Sequence, residues 1–484
     1  MMTHAPKPGH RVSTRAIVPL AIGFAVLLAA FIAACGGSSS KVPESVLPAT
    51  TSVQINMGDA PADWLLSFSM KVSSMSLTHT QMGAVSVGKN GAPVEMISRL
   101  GTMEPVAVAD VPQGSYSGAT LTIASCTYSY LDPLTKQLQT RTIDGPINAS
   151  VPFSSNVTVG STPLAFNFDL DLLHSLSGDT GSPFQFAPKF HFSTATQDTA
   201  GSGGGNGVNA RNGGMYQLMG VISSIAGTDT FVVQSVQSMN TYTFRVNTQT
   251  RFQGKVENMA QLANGMGVLV TAVAQSDGKF LATRIRAGIG AGGAMGGGVI
   301  TEVIGMPATQ LTIVMQNAAG ASINTDYLSK TLTVNLTENT KYEIDDDRVD
   351  LTGLDFEPVF DASNIFAGQS VLPMSDEGIV ANESCDPTCG TITASTLRLR
   401  ERGFRGTTTV DLAPGAATHF TLTLPDGCAF TTLTGATEIL VYQQPSTSLE
   451  DNQVITAGTT LRVHGLAFKV GTQWIMVAST ISAV

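Results

Sequence analysis

Leu66-Ser67-Phe68-Ser69-Met70-Lys71-Val72 alternates apolar and polar side chains without a break. A period of two puts one set on each face of a strand, so this stretch reads as β-structure with one buried face. Upstream, Ser52-Val53-Gln54-Ile55-Asn56-Met57 alternates in the same way, and Gly58-Asp59-Ala60-Pro61-Ala62-Asp63 has the composition of a turn. Further strand candidates are Tyr116-Ser117-Gly118-Ala119-Thr120-Leu121-Thr122-Ile123, residues 149–159, Leu164-Ala165-Phe166-Asn167-Phe168-Asp169-Leu170 and residues 184–192. Leu170-Asp171-Leu172-Leu173-His174-Ser175-Leu176 fits a single helical turn. Short strands separated by turns predict a β-sandwich over residues 50–197.

The composition supports an all-β chain of several domains. There are 484 residues, 43% of them apolar, which supplies several cores. Charged residues are only 13%, about half the usual share. Ser, Thr and 49 glycines fill the gap, a mixture suited to strands and turns. The formal charge of −10 repels phosphate backbones and argues against a nucleic-acid partner. Glycine-rich stretches at 198–214 and 288–297 read as flexible linkers.

Beyond residue 214 the sequence repeats a loose frame. Gly220-Val221-Ile222-Ser223-Ser224-Ile225 and Thr248-Gln249-Thr250-Arg251-Phe252 lead to Leu262-Ala263-Asn264-Gly265-Met266-Gly267-Val268-Leu269-Val270 and Phe280-Leu281-Ala282-Thr283-Arg284-Ile285. Gly298-Val299-Ile300-Thr301-Glu302-Val303, Glu338-Asn339-Thr340-Lys341-Tyr342, Phe366-Ala367-Gly368-Gln369-Ser370-Val371 and Ile392-Thr393-Ala394-Ser395-Thr396-Leu397 follow the same order. A third pass starts at Gly435-Ala436-Thr437-Glu438-Ile439 and ends in Met476-Val477-Ala478-Ser479-Thr480-Ile481. Each has a threonine beside a bulky residue, a glycine turn, and a last strand with alanine at its middle. The predicted domains are small β-barrels at 215–287, 298–400 (with an acidic and cysteine-loop insertion) and 403–484.

Two resemblances add to this reading. Asp59-Ala60-Pro61-Ala62-Asp63, Val72-Ser73-Ser74-Met75-Ser76-Leu77, Phe166-Asn167-Phe168-Asp169-Leu170 and Phe186-Ala187-Pro188 resemble a family of uncharacterised domains near the N-terminus of bacterial envelope lipoproteins. The repeat frame resembles a second family of uncharacterised, OB-like small β-barrels. Neither resemblance implies a chemistry, since OB-like barrels bind many ligands.

The leader supplies an address. Lys7, Arg11 and Arg15 precede an apolar run over residues 16–31, and Ile32-Ala33-Ala34-Cys35 is followed by Gly36-Gly37-Ser38-Ser39-Ser40. Basic, apolar and small residues in that order form a secretory signal, and the apolar run is short for a membrane span. A cysteine at the cut resembles the lipobox of bacterial lipoproteins. That resemblance implies cleavage after residue 34, a diacylglycerol on Cys35 and an acylated new N-terminus, with palmitate as the expected chain. Two or three chains, at about 0.8 kcal/mol per buried methylene, anchor stably. Residues 35–49 then act as a tether. The same resemblance implies that Gly36, in place of aspartate, directs the chain to the outer membrane, on its periplasmic or surface face.

Four cysteines remain in an oxidising compartment. Cys385-Asp386-Pro387-Thr388-Cys389 spaces a pair across a turn, and a Cys385–Cys389 disulfide is favoured over metal because no histidine lies near. For Cys126 and Cys428, a bridge and two buried thiols both stay open. Asp345-Asp346-Asp347 is the densest carboxylate run and the weak metal candidate; it lacks the Asp-x-Asp-x-Asp-Gly spacing of a calcium loop, which favours a solvated acidic loop. Asp169 and Asp171 share a strand face, with capping of the next turn as their expected role.

Gly288-Ile289-Gly290-Ala291-Gly292-Gly293 matches a dinucleotide fingerprint but precedes no helix. Gly114-Ser115-Tyr116-Ser117-Gly118 has the outline of a nucleophile elbow with tyrosine at the nucleophile's place. Trp64 and Trp474 are expected in cores rather than on sugar rings.

The expected function is therefore a non-catalytic, lipid-anchored envelope protein, structural or ligand-binding, with no cofactor. Its expected partners are the membrane, through the lipid, and an envelope glycan or protein. The alternatives are carbohydrate binding or adhesion, and a hydrolase whose site is assembled from distant loops.

Overall fold

The computed structural model describes residues 48–483 apart from 61, 89–90, 92, 98–102, 179–183, 198–212, 237, 276, 321–326, 383–387 and 450–452. The signal segment 1–34, Cys35, the tether up to residue 47, Cys385 and most of the first glycine-rich stretch lie outside the described residues. The segment Ala49–Val484 forms one compact unit. It is almost entirely β-structure, as the alternation requires.

The N-terminal part contains β1 (Thr50–Ala60), β2 (Leu65–His79), β3 (Gly83–Gly88), β4 (Pro93–Glu95), β5 (Glu104–Pro112), β6 (Gly114–Leu131), β7 (Leu138–Val159), β8 (Leu164–Asp171), α1 (Leu172–Ser175), β9 (Leu176–Ser177), β10 (Gln185–Phe186) and β11 (Phe190–Thr196). One sheet has the order β11-β8-β1-β5, with β1 and β8 parallel. The other has the order β3-β2-β6-β7, with β4 also on β2. Val53, Ile55, Phe166 and Phe168 of the first sheet share a core with Phe68, Met70, Leu121 and Ile123 of the second. Asp171 caps α1 by accepting from the His174 amide at 3.1 Å, which is the role expected for it.

Three further units share one connectivity. The first comprises β12 (Met215–Ala226), β13 (Thr230–Ser235), β14 (Thr241–Arg245), β15 (Arg251–Gly254), β16 (Gly267–Ala274) and β17 (Phe280–Ile289). The first three of these strands form an antiparallel meander, and β16 returns to the free side of β12. β17 pairs antiparallel with β16 and parallel with β14, which closes a five-stranded ring.

The second unit comprises β18 (Ala294–Ile304), β19 (Gln310–Gly320), β20 (Thr331–Asn335), β21 (Lys341–Ile344), β22 (Ser370–Ser375), β23 (Val380–Ala381), β24 (Thr388–Thr393) and β25 (Thr396–Arg400). β24 and β25 together take the place of β17: β24 runs parallel to β20, and β25 runs antiparallel to β22. The third is a closed barrel of β26 (Arg402–Thr407), β27 (Thr418–Thr423), β28 (Glu438–Leu449), β29 (Thr460–Val470) and β30 (Gln473–Ala483), with α2 (Ala429–Thr434) between β27 and β28. Again the third and fifth strands are parallel.

The repeat frame has a physical origin in a buried threonine. The Thr250 hydroxyl accepts from the Asn247 amide at 3.0 Å and donates to the Ala282 carbonyl at 2.7 Å. Thr340 does the same with Thr337 and Ala394, at 2.9 and 2.8 Å. In the third unit the residue is Thr447, with Gln444 and Ala478, both at 2.8 Å. The sequence frame had placed Thr437 there, but that residue is exposed. Glycine recurs for a second reason. At Gly220, Gly298 and Gly406, in the first strand of each unit, a Cβ would press into a carbonyl oxygen of the second strand, at Gln234, Val314 and Thr423.

The second glycine-rich stretch, expected as a linker, is strand. Residues 290–293 make a turn, with the Gly293 amide donating to the Gly290 carbonyl at 3.1 Å, and Gly296 to Gly298 run inside β18. The close approach of β19 demands small residues there, so the glycines serve packing rather than flexibility.

Replacing Thr447 by Val leaves the Ala478 carbonyl without its donor. It is expected to cost about 1–3 kcal/mol, whereas Thr437→Val stays within about 0.5 kcal/mol. Urea midpoints of the two variants check this.

Candidate functional site

A cavity of about 90 Å³ lies where the N-terminal sheets and the three barrels meet. Its walls are Asp63, Leu65 and Leu66 from the sandwich, Tyr216 and Gln217 from β12, Gln316 and Asn317 from β19, Arg400 from the end of β25, residues 402–405 from β26, and His464 from β29. A water needs about 10–15 Å³ by this measure, so the space holds a few waters or one small solute.

The expected acidic run supplies one wall. Asp345 is buried and accepts from Gln217 Nε2 at 2.9 and 3.1 Å and from Arg398 Nη2 at 2.5 Å. Burial alone would push its carboxyl up, yet Arg398, Arg400, Gln217 and Arg286 together hold it below the usual range. Asp347 pairs with Arg284 and lies 3.7 Å from Arg398, while Asp346 is exposed. At two of its three positions the run is thus not a solvated loop: Asp345 and Asp347 are ion-paired with arginines. Parallel pairing of β21 with β25 brings arginines from distant sequence onto it. No group of three or more His, Cys, Asp or Glu side chains that could hold a metal occurs among the described residues. Gln217 holds this node with φ +49°, a left-handed conformation unusual for its type.

Two further charged groups line the opposite wall. Burial pushes the Asp63 carboxyl up to about 6, against the lowering effect of Arg405, whose Nε lies 3.8 Å away. Burial lowers the Arg402 guanidinium to about 10, partly offset by Cys428 and Asp63. Arg402 donates to the Gly368 carbonyl and lies 5.1 and 5.7 Å over the Phe404 and Phe430 rings. Burial, then Arg462 and Arg348, hold the His464 imidazole well below its ordinary value.

The other residues singled out by the sequence lie elsewhere or have structural roles. Cys126 and Cys428 are separate buried thiols, which settles the alternative left open for them; Cys428 Sγ accepts from the Thr431 amide at the start of α2. Cys389 is buried on β24. The Tyr116 hydroxyl donates to the Pro112 carbonyl at 2.7 Å. Trp64 stacks on Phe184 at 4.6 Å, and Trp474 packs edge-on against Phe366 and Phe430. The run Arg398-Leu399-Arg400-Glu401-Arg402-Gly403-Phe404-Arg405 had not been singled out, although its density of cations in a chain so poor in charge is a readable signal.

Comparison with known proteins finds one family match, confined to part of the first barrel. Residues 219–286, within the first barrel, match a domain of unknown function, DUF5666. No curated protein matches the chain. Similar solved structures include a single-stranded DNA binding protein from Thermus aquaticus, at 11% identity and TM-score 0.15, covering 40% of this chain and 92% of the other. Another is a multidomain protein with nucleic acid binding domains from Streptococcus pneumoniae, at 11% identity and TM-score 0.10, covering 54% and 72%. The exclusion of nucleic acid drawn from the net charge is withdrawn. A formal charge averages the whole surface and is silent on any one face. Likeness at these scores assigns no ligand to this chain.

The elevated Asp63 value has a testable sign. A carboxyl raised from 3.8 to about 6 by folding stabilises most below pH 4, and that contribution is lost as pH rises through 6. The stability of Asp63→Asn relative to the natural chain is therefore expected to rise by about 2 kcal/mol between pH 4 and pH 7. Paired denaturation curves across that window measure it.

Proposed function

We propose that this chain is a bacterial envelope lipoprotein whose compact β body acts by binding rather than by catalysis. The observation that carries the reading is Ile32-Ala33-Ala34-Cys35 at the end of a basic and then apolar leader. Cleavage before Cys35 and acylation of its sulfur would anchor the body through the Gly/Ser tether. Gly36 after the lipidated residue favours the outer membrane.

The body consists of a sandwich followed by OB-like barrels. The shared order of three meandering strands, a return to the first, and a fifth strand parallel to the third supports that assignment. We assign Cys389 a disulfide with Cys385, in keeping with an oxidising compartment.

A binding role is favoured because the buried carboxylates at and next to the cavity are held by arginines. Asp345, Asp347 and Asp63 each face an arginine. A general acid or base needs a proton path to a substrate, which these pairs do not offer.

Metabolic labelling with a fatty-acid analogue tests the anchor. The natural chain is expected to take up label and Cys35→Ala to take up none. Equal labelling of both would remove the lipoprotein reading.

A further inference from the structure

We infer that the outer face of the β26–β29 pair, where it borders the cavity, binds a small oxyanion, a carboxylate or phosphate group, among Arg405, Arg462 and His464. This rests on the reading of the body as a binding module and names the class of ligand; it is independent of the lipid anchor.

The strand register brings these three side chains together. β26 runs antiparallel to β29, with Arg405 opposite Arg462 and Gly403 opposite His464. Opposed residues share a face, with Cβ atoms about 4.5–5.5 Å apart, and residues two apart on one strand return to that face after about 7 Å. Phe404, Leu461 and Val463 belong to the barrel's own core, so Arg405, Arg462 and His464 turn outward. Gly403 places no side chain beside His464. On the other flank β30 sets Thr480 opposite His464, and Arg348 Nη2 donates to the Thr480 hydroxyl at 2.9 Å. Arg348, Arg405 and His464 all line the cavity.

Charge on this face is unbalanced among the described residues. Arg348, Arg405 and Arg462 meet two carboxylates. Asp63 Oδ2 stands 3.8 Å from Arg405 Nε, and Glu401 accepts from the Ser479 hydroxyl and lies 4.0 Å from Arg348. Arg462 makes no ion pair among the described residues, and its Nε is buried without a hydrogen-bond partner. A half-buried guanidinium without a counter-ion is costly, and its planar fork matches a carboxylate or phosphate.

The imidazole is a second, independent observation. His464 is 4% exposed, and its Nε2 has no hydrogen-bond partner. Burial, then the charges of Arg462 and Arg348, keep the ring neutral, so it carries one N–H. Buried polar atoms are nearly always satisfied, and an unmet ring nitrogen among arginines calls for an acceptor. An oxyanion oxygen would accept from His464 Nε2–H while its other oxygens take Arg462 and Arg405. About 90 Å³ accommodates one such group on a short stem.

Asp63 is the internal competitor. Its carboxylate faces Arg405 and feels the charge of Arg462, so it takes up part of the field that an anion would use. Neutralising it strengthens an anion site and does nothing for a cluster that only holds the fold.

The test uses the full-length chain in detergent at pH 7. Inorganic phosphate and acetate are titrated separately at constant ionic strength, with binding read by calorimetry and by the shift in unfolding temperature. The expected result is saturable one-site binding of at least one of the two, and the stronger identifies the group. Arg462→Met is expected to weaken it at least about tenfold, and Asp63→Asn to tighten it about tenfold. Circular dichroism checks that each variant is folded; if Arg462→Met is not, Asp63→Asn decides. No saturable binding by the natural chain up to about 10 mM of either anion would overturn the inference. So would full-strength binding by folded Arg462→Met, or no tightening in Asp63→Asn. Fatty-acid labelling of the same preparation reports on the anchor separately, so loss of one reading does not obscure the other.

Discussion

A carboxylate taken out of water costs several kcal/mol unless other groups replace its hydration, and the body of this protein is organised around one such group. Asp345 sits between the first and second barrels, and its oxygens are met by Gln217 of β12 and Arg398 of β25. Arg284 and Arg286 of β17 reach across the same seam to Asp347 and Glu343. Apolar side chains also cross the seams: Met219, Leu269 and Ile289 of the first barrel pack with Met295, Leu372 and Met374 of the second, and Leu466, Phe468 and Ile475 of the third join the second barrel's core. Polar groups with fixed partners add to these contacts at the seam around Asp345. Such contacts fix geometry more strictly than apolar ones, since a displaced partner leaves a buried charge exposed to its full desolvation cost.

The same logic recurs at the other seams. The Ser129 hydroxyl donates to the Ser329 carbonyl at 2.7 Å, and Gln316 Nε2 donates to the Leu66 carbonyl at 2.7 Å, tying the sandwich to the second barrel. The Tyr242 hydroxyl donates to the Pro105 carbonyl at 2.7 Å, tying it to the first. The Ala429 amide donates to the Asp63 carbonyl at 2.8 Å, tying it to the third. Asp63, Leu66 and Gln316 of these seams also line the cavity, which is why residues from such distant stretches meet there.

The strands were legible from their alternation, although the polar positions Gln54, Asn56, Ser67, Ser69 and Asn167 on the other faces are buried as well. Val53, Ile55, Phe68, Met70, Phe166 and Phe168 all point into the core that their spacing predicted. Residues 138–148 of β7 escaped notice because both of their faces are largely solvated, so no alternation marks them. The threonine of the repeat was visible at Thr250 and Thr340 but assigned to Thr437 instead of Thr447. What defines it is a hydrogen bond to an alanine carbonyl on a later strand, which no spacing encodes. The acidic run failed for the same reason on a larger scale. Asp345 looked solvated because Arg398 and Gln217 are distant in the sequence, and the parallel pairing that unites them depends on the whole barrel. Glycines 296–298 looked like a linker because composition does not separate flexibility from close packing.

The account claims that the barrels are coupled through Asp345 rather than folded side by side as independent beads. Hydrogen exchange of Asp345→Asn against the natural chain, followed by mass spectrometry, tests this most directly. Coupling predicts faster exchange in Met215–Ala226 together with Lys341–Ile344 and Thr396–Arg400, because the substitution weakens both sides of the seam. Acceleration confined to the second barrel, with Met215–Ala226 unchanged, would contradict it.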